Sequence, residues 1–120
     1  MAYDTYTAER IAHYFKAQNI SFEARNMMGG RVFMVDNKMC CGIHYDKKKQ
    51  TDLLMARIGE AAAEKYAYKP GCLPMDFTGR PMKGYVFISS EAYDLEEDLV
   101  FWLDLCLSFN PIAKASKKKK

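Results

Sequence analysis

Residues 31–45 read RVFMVDNKMCCGIHY. Arg31 to Val35 and Lys38 to Tyr45 are rich in β-branched, aromatic and other apolar residues, and only Asp36-Asn37 separates them. Two residues that tolerate positive φ are the right length and chemistry for a tight hairpin turn. The stretch therefore predicts two antiparallel strands. In the second, alternation puts Met39, Cys41, Ile43 and Tyr45 on one face and Cys40, Gly42 and His44 on the other.

Upstream, Gly29-Gly30 makes a turn and Ser21 to Asn26 reads as a preceding strand. Before it, Ala8, Ile11, Ala12 and Phe15 recur at helical spacing, so Thr5 to Gln18 is a helix, capped by Asp4 or Thr5 and stopped at Asn19. Downstream, Asp46 to Gln50 is a charged, exposed loop. Leu53 to Ile58 is a fourth strand, with Leu53, Met55 and Arg57 on one face and Leu54, Ala56 and Ile58 on the other. Gly59 ends it, and Glu60 to Lys65 is composed of helix formers. Pro70 and Pro74 break up the next stretch. Gly79-Arg80-Pro81 reads as a turn, and Gly84 to Ser89 as a fifth strand.

The last helix opens on Asp94 with Glu97 three residues on, a capping-box spacing. Leu95, Leu99, Trp102, Cys106 and Phe109 form its apolar stripe, widened by Val100, Leu103 and Leu107, and Asn110-Pro111 ends it. The sum is an α+β fold: an antiparallel sheet of about five strands flanked by N- and C-terminal helices. Helices on one face leave the other needing a ligand, a second subunit or polar cover.

A chain of 120 residues holds one ordinary core, expected over residues 1–111 with a flexible basic tail at 112–120. With 49% hydrophobic residues, disorder is excluded as a reading. The apolar runs are too short for a membrane span, and the N-terminus lacks a secretory pattern, so a cytoplasmic location is expected. Net charge is +3, but without Lys117 to Lys120 the 18 basic residues become 14 against 15 acidic ones. A folded body near −1 is a poor nucleic-acid surface, and the tail alone gives only weak, salt-sensitive contact.

The residues carry little catalytic chemistry. His44 shares a strand face with Cys40, but four residues at roughly 3.3 Å each separate them by about 13 Å. His13 reads as a helix-surface residue. Cys40, Cys41, Cys72 and Cys106 lack metal-ligand spacing, and adjacent strand residues point apart, so neither a disulfide, a metal nor any other cofactor is expected. The glycines match no phosphate-binding motif. Gly79 to Gly84 does place Arg80 and Lys83 in a glycine-bounded loop that could hold an anion, and Arg57, the odd polar member of its strand, could pair with Asp76 or Glu60. Seven of the eight methionines fall between Met27 and Met82, where thioethers fill a core or an adaptable binding surface.

Met27-Met28-Gly29-Gly30, Phe33 to Met39, Cys41-Gly42 and Leu54 to Gly59 together resemble the N-terminal domain of the TfoX/Sxy family. The most specific stretch is Met75-Asp76-Phe77-Thr78-Gly79-Arg80-Pro81-Met82-Lys83-Gly84-Tyr85-Val86. The resemblance runs from about Met27 to Leu107. It implies a secretion-chaperone-like (YjbR/TfoX N-terminal-like) α+β fold. Its motif residues here are Gly29, Gly30, Cys41, Gly42, Arg57, Gly59, Asp76, Gly79, Arg80, Pro81, Lys83 and Gly84. Family members that regulate natural competence carry a further helical domain; this chain is similar to the stand-alone type. The chain departs from the family at Met28, where phenylalanine is frequent, and in its longer stretch between Tyr45 and Leu53.

Two functions follow as expectations. The first is a non-catalytic protein-interaction or regulatory module, self-associating as a homodimer and linked to transcription or competence control. The second is a small-molecule or anion site, sensor or enzyme, built from Arg57, Asp76, Arg80 and Lys83.

Overall fold

The first helix, α1 (Thr5–Ala17), turns Thr7, Ala8, Ile11 and Phe15 inward, as its spacing predicts. Asn19 ends it in the left-handed region at φ 60°. There Ile20 N–H donates to Phe15 (2.9 Å) and Asn19 N–H to Lys16 (3.0 Å), pairing the last carbonyls of the helix. The computed structural model describes residues 5–27, 30–47, 50–74 and 84–113, so Asp4 lies outside the described residues.

Four strands follow: β1 (Glu23–Met27), β2 (Gly30–Val35), β3 (Lys38–Asp46) and β4 (Thr51–Arg57). Then come α2 (Glu60–Lys65), β5 (Cys72–Pro74), β6 (Tyr85–Ile88), a 3-10 turn (Ser90–Ala92) and α3 (Glu96–Phe109). The sheet is six-stranded and antiparallel in the order β1-β2-β3-β4-β6-β5. The sixth strand, β5, falls where the prolines argued for a break. It is an outer strand of three residues ending on Pro74, a position where a missing N–H need not cost a ladder bond.

The hairpin turn is as expected. Asp36 and Asn37 sit at φ 55° and 63°, both left-handed, which matches the twist of the strands they join. Strict alternation in β3 fails, however. The register jumps from Phe33↔Cys41 to Met34↔Met39, leaving Cys40 as an extra residue in a β-bulge. Cys40 consequently joins Cys41 and Ile43 in the core beneath the helices, and Met39 packs on the opposite face.

The helical face of the sheet contributes Phe33, Ile43, Leu54, Ala56, Val86 and Ile88, closed over by Ile11, Phe15, Leu99, Trp102, Leu103 and Cys106. Burying each large side chain contributes about 1.5–3 kcal/mol, which fixes α1 and α3 on this face. The second face holds Val32, Met34, Leu53, Met55 and Phe87, and among the described residues no helix contributes to that cluster. These residues are nevertheless only 1–7% exposed. The expected open apolar back is therefore shielded within one chain.

The start of α3 also differs from expectation. Leu95, not Asp94, is the N-cap residue, no side chain caps the helix, and Leu95 is 59% exposed. Arg10 of α1 takes the role of anchor. One guanidinium nitrogen lies 3.1 Å from the Asp94 carbonyl oxygen and 3.4 Å from a Glu96 carboxylate oxygen.

Candidate functional site

Arg57 closes β4 opposite Tyr85 of β6. Its guanidinium carbon lies 5.3 Å from the centre of the Tyr85 ring and 5.9 Å from that of Phe109, and Nη1 is 3.5 Å from the Met39 carbonyl oxygen. A cation between two aromatic rings is attracted by both π faces. One step further along the chain, the amides of Ile58 and Gly59 donate to the Gly84 carbonyl at 2.9 and 3.0 Å. Gly59 has φ 90°, and a Cβ there would meet the Phe109 ring at 2.7 Å. Arg57, Gly59 and Gly84 are thus brought to one corner of the sheet by backbone pairing.

Of the other motif residues, Gly30, Cys41 and Gly42 lie in strands β2 and β3. Gly30 and Gly42 permit close approach of β2 and β3: an added Cβ would stand 2.0 Å from the Ile43 oxygen at Gly30, and 2.6 Å from the Arg31 oxygen at Gly42. Cys41 is fully buried. Gly29, Asp76, Gly79, Arg80, Pro81 and Lys83 lie outside the described residues. Glu60 is an exposed first-turn residue of α2.

A thiol cluster forms beneath α3, which the sequence did not foretell. Cys40 and Cys41 meet Cys106, all three nearly solvent-free. Donation by the Cys106 and Cys41 S–H groups, with the Arg57 charge nearby, holds the Cys40 thiol below its ordinary range despite burial. Burial pushes Cys41 and Cys106 well above theirs. The four cysteines are free, and among the described residues no group of three acidic, histidine or cysteine side chains is arranged for a metal ion. The bulge at Cys40 is what brings the trio together. The one available signal was Cys106 on the inner stripe of α3.

His44 goes the other way. Its ring stacks on Phe87 at 5.6 Å and 11°, on the sheet face away from the thiols. The sheet itself stands between the only imidazole of the sheet and its buried sulfurs. His13 is exposed on α1.

Two surface features remain. A groove of about 390 Å³ runs between α1 and the β1–β2 side of the sheet, with Ala12, Phe22, Ala24 and Phe33 in it and Glu9, Lys16 and Arg31 around it. Beside it β1 is an outer strand of the sheet, with β2 as its neighbour among the described residues. No helix among the described residues is long and apolar enough to cross a membrane.

The sequence matches the family model of the TfoX N-terminal domain over residues 15–110. No curated protein and no solved structure matches it.

Proposed function

From the premise that this chain belongs to the TfoX N-terminal domain family, we propose that it is a non-catalytic, self-associating interaction module with a regulatory role in transcription or competence control, acting in the cytoplasm. The observation that carries this reading is the separation of reactive groups. His44 stacks on one face of the sheet, while Cys40, Cys41 and Cys106 are buried on the other. A nucleophile and its base must lie within hydrogen-bond reach, so the described groups suit recognition better than chemistry. Both sheet faces are closed within the chain, which leaves the rim and the helical layer for partners.

Sedimentation velocity from low-micromolar to near-millimolar protein tests this reading. A monomer–dimer equilibrium supports it, and it should persist in 0.5 M-class salt only in weakened form because rim charges are screened. A mass of one chain throughout overturns self-association. The basic tail contributes at most a weak, salt-sensitive attraction to nucleic acid.

A second reading has one observation in its favour: Arg57 stands where Gly59 and Gly84 meet, and in the sequence Gly84 closes the glycine-bounded stretch that carries Arg80 and Lys83. In that reading the corner binds a small anion. Titration with inorganic phosphate, followed by amide chemical shifts, distinguishes it. Saturable shifts at Arg57, Gly59 and Gly84 support it, and their absence ends it.

A further inference from the structure

We infer that the β1 edge is the self-association site, where a second copy of this chain pairs antiparallel in the one register centred on Ala24. This rests on the self-associating reading above and adds to it the surface, the orientation and the residues.

The two outer strands of the sheet differ. β5 has three residues and ends on Pro74, both devices that discourage further pairing. β1 has five residues, Glu23, Ala24, Arg25, Asn26 and Met27, with neither proline nor glycine. β1 thus carries neither of the devices that blunt β5.

The charges on β1 then select the partner. Glu23 and Arg25 project from the same side of the strand, opposite Met34 and Val32 in register, and both are exposed. Within the chain they pair with each other at 3.1 Å. Pairing a second β1 antiparallel about Ala24 puts Glu23 beside Arg25 of the second copy, and Arg25 beside Glu23 of the second copy. Two opposite-charge pairs then lie directly across the seam, and such pairs stabilise a sheet. Shifting the centre to Glu23 sets glutamate against glutamate. Shifting it to Arg25 sets arginine against arginine, and a parallel arrangement in register does both. Among antiparallel alignments, the one about Ala24 alone sets these two opposite charges against each other, which favours it over the others. Small Ala24 at the centre leaves the two-fold axis unobstructed on the helical side.

The test uses three variants of the full chain: Glu23→Arg, Arg25→Glu and the double exchange. All the altered side chains are exposed, so the fold is expected to persist, with circular dichroism as the check. Each single variant should self-associate at least tenfold more weakly than the parent, because both cross-seam pairs become repulsive. The double exchange should restore association. Mixing Glu23→Arg with Arg25→Glu should give a heterodimer, since glutamates on one chain then meet arginines on the other. If the parent dimerises and the single variants do so equally well, the interface lies elsewhere and this inference falls while self-association stands. If the single variants are monomeric but neither the double exchange nor the mixture associates, the register is wrong. A parent that stays monomeric sinks both readings.

Discussion

Replacing Gly30 by alanine tests whether the motif glycines serve the backbone rather than a ligand. The added Cβ would stand 2.0 Å from the Ile43 oxygen and 2.8 Å from the His44 Cα. Non-bonded carbon and oxygen approach to about 3.3 Å, so β2 and β3 must part by more than about 1 Å. Strands about 4.8 Å apart cannot absorb that without losing hydrogen bonds. Overpacking costs about 1–3 kcal/mol, and one or two lost terminal bonds add roughly 0.5–1.5 kcal/mol each. A total near 2–4 kcal/mol is expected. For 120 residues, an unfolding entropy of about 0.25 kcal/mol per degree turns this into a fall in Tm of about 8–16 °C. Gly84→Ala is the comparison: its φ is 84°, but the added Cβ meets nothing closer than 3.4 Å, so only the left-handed cost of about 1–2 kcal/mol applies. Urea unfolding followed by circular dichroism ranks the two. A Gly30→Ala chain within about 0.5 kcal/mol of the parent, which is the range of an inconsequential surface change, would refute the close-approach argument.

Three further outcomes are expected. Arg57→Met keeps the stem and removes the cation between Tyr85 and Phe109, so it should cost about 1–2 kcal/mol in denaturant unfolding; unchanged or higher stability would instead mark a charge kept for an anion. Native alkylation should modify Cys72, the one half-exposed thiol, and reach Cys40, Cys41 and Cys106 only after denaturation, as counted by mass spectrometry. Tyr14 is raised to about 12 by burial and by donating its hydroxyl to Asp104; its folded value exceeds the unfolded 10.0, so its contribution to stability is complete below pH 10 and fades as pH rises towards 12. Denaturant midpoints of the parent and Tyr14→Phe should therefore converge across that window.

Much of the fold could be read from local chemistry. Asp36-Asn37 announced its turn because few other pairs accept two left-handed residues, and the alternation in β4 held from Leu53 to Ile58. The α1 stripe and the limits of α2 were equally plain. What escaped was decided by tertiary context. The bulge at Cys40 comes from fitting β3 against β2, and it reversed the faces of Cys40 and Met39. β5 escaped because Pro74 forbids a central strand but not an outer one. The Asp94–Glu97 spacing suggested a cap, yet Arg10, more than eighty residues away in sequence, ties down that end of α3. Of the candidate site, Arg57 and its glycines were legible as motif residues, whereas Tyr85 and Phe109 reach Arg57 only through strand pairing and the end of α3. The closed second face was not legible either, since alternation says which residues share a face and not what shields them.

Amide hydrogen exchange of β1, measured at low and at high protein concentration, tests recognition through this strand most directly. Alternate amides between Glu23 and Met27 should gain protection as concentration rises, while those of the β5 edge should not. Unchanged exchange along β1 in a sample shown to be dimeric would contradict it.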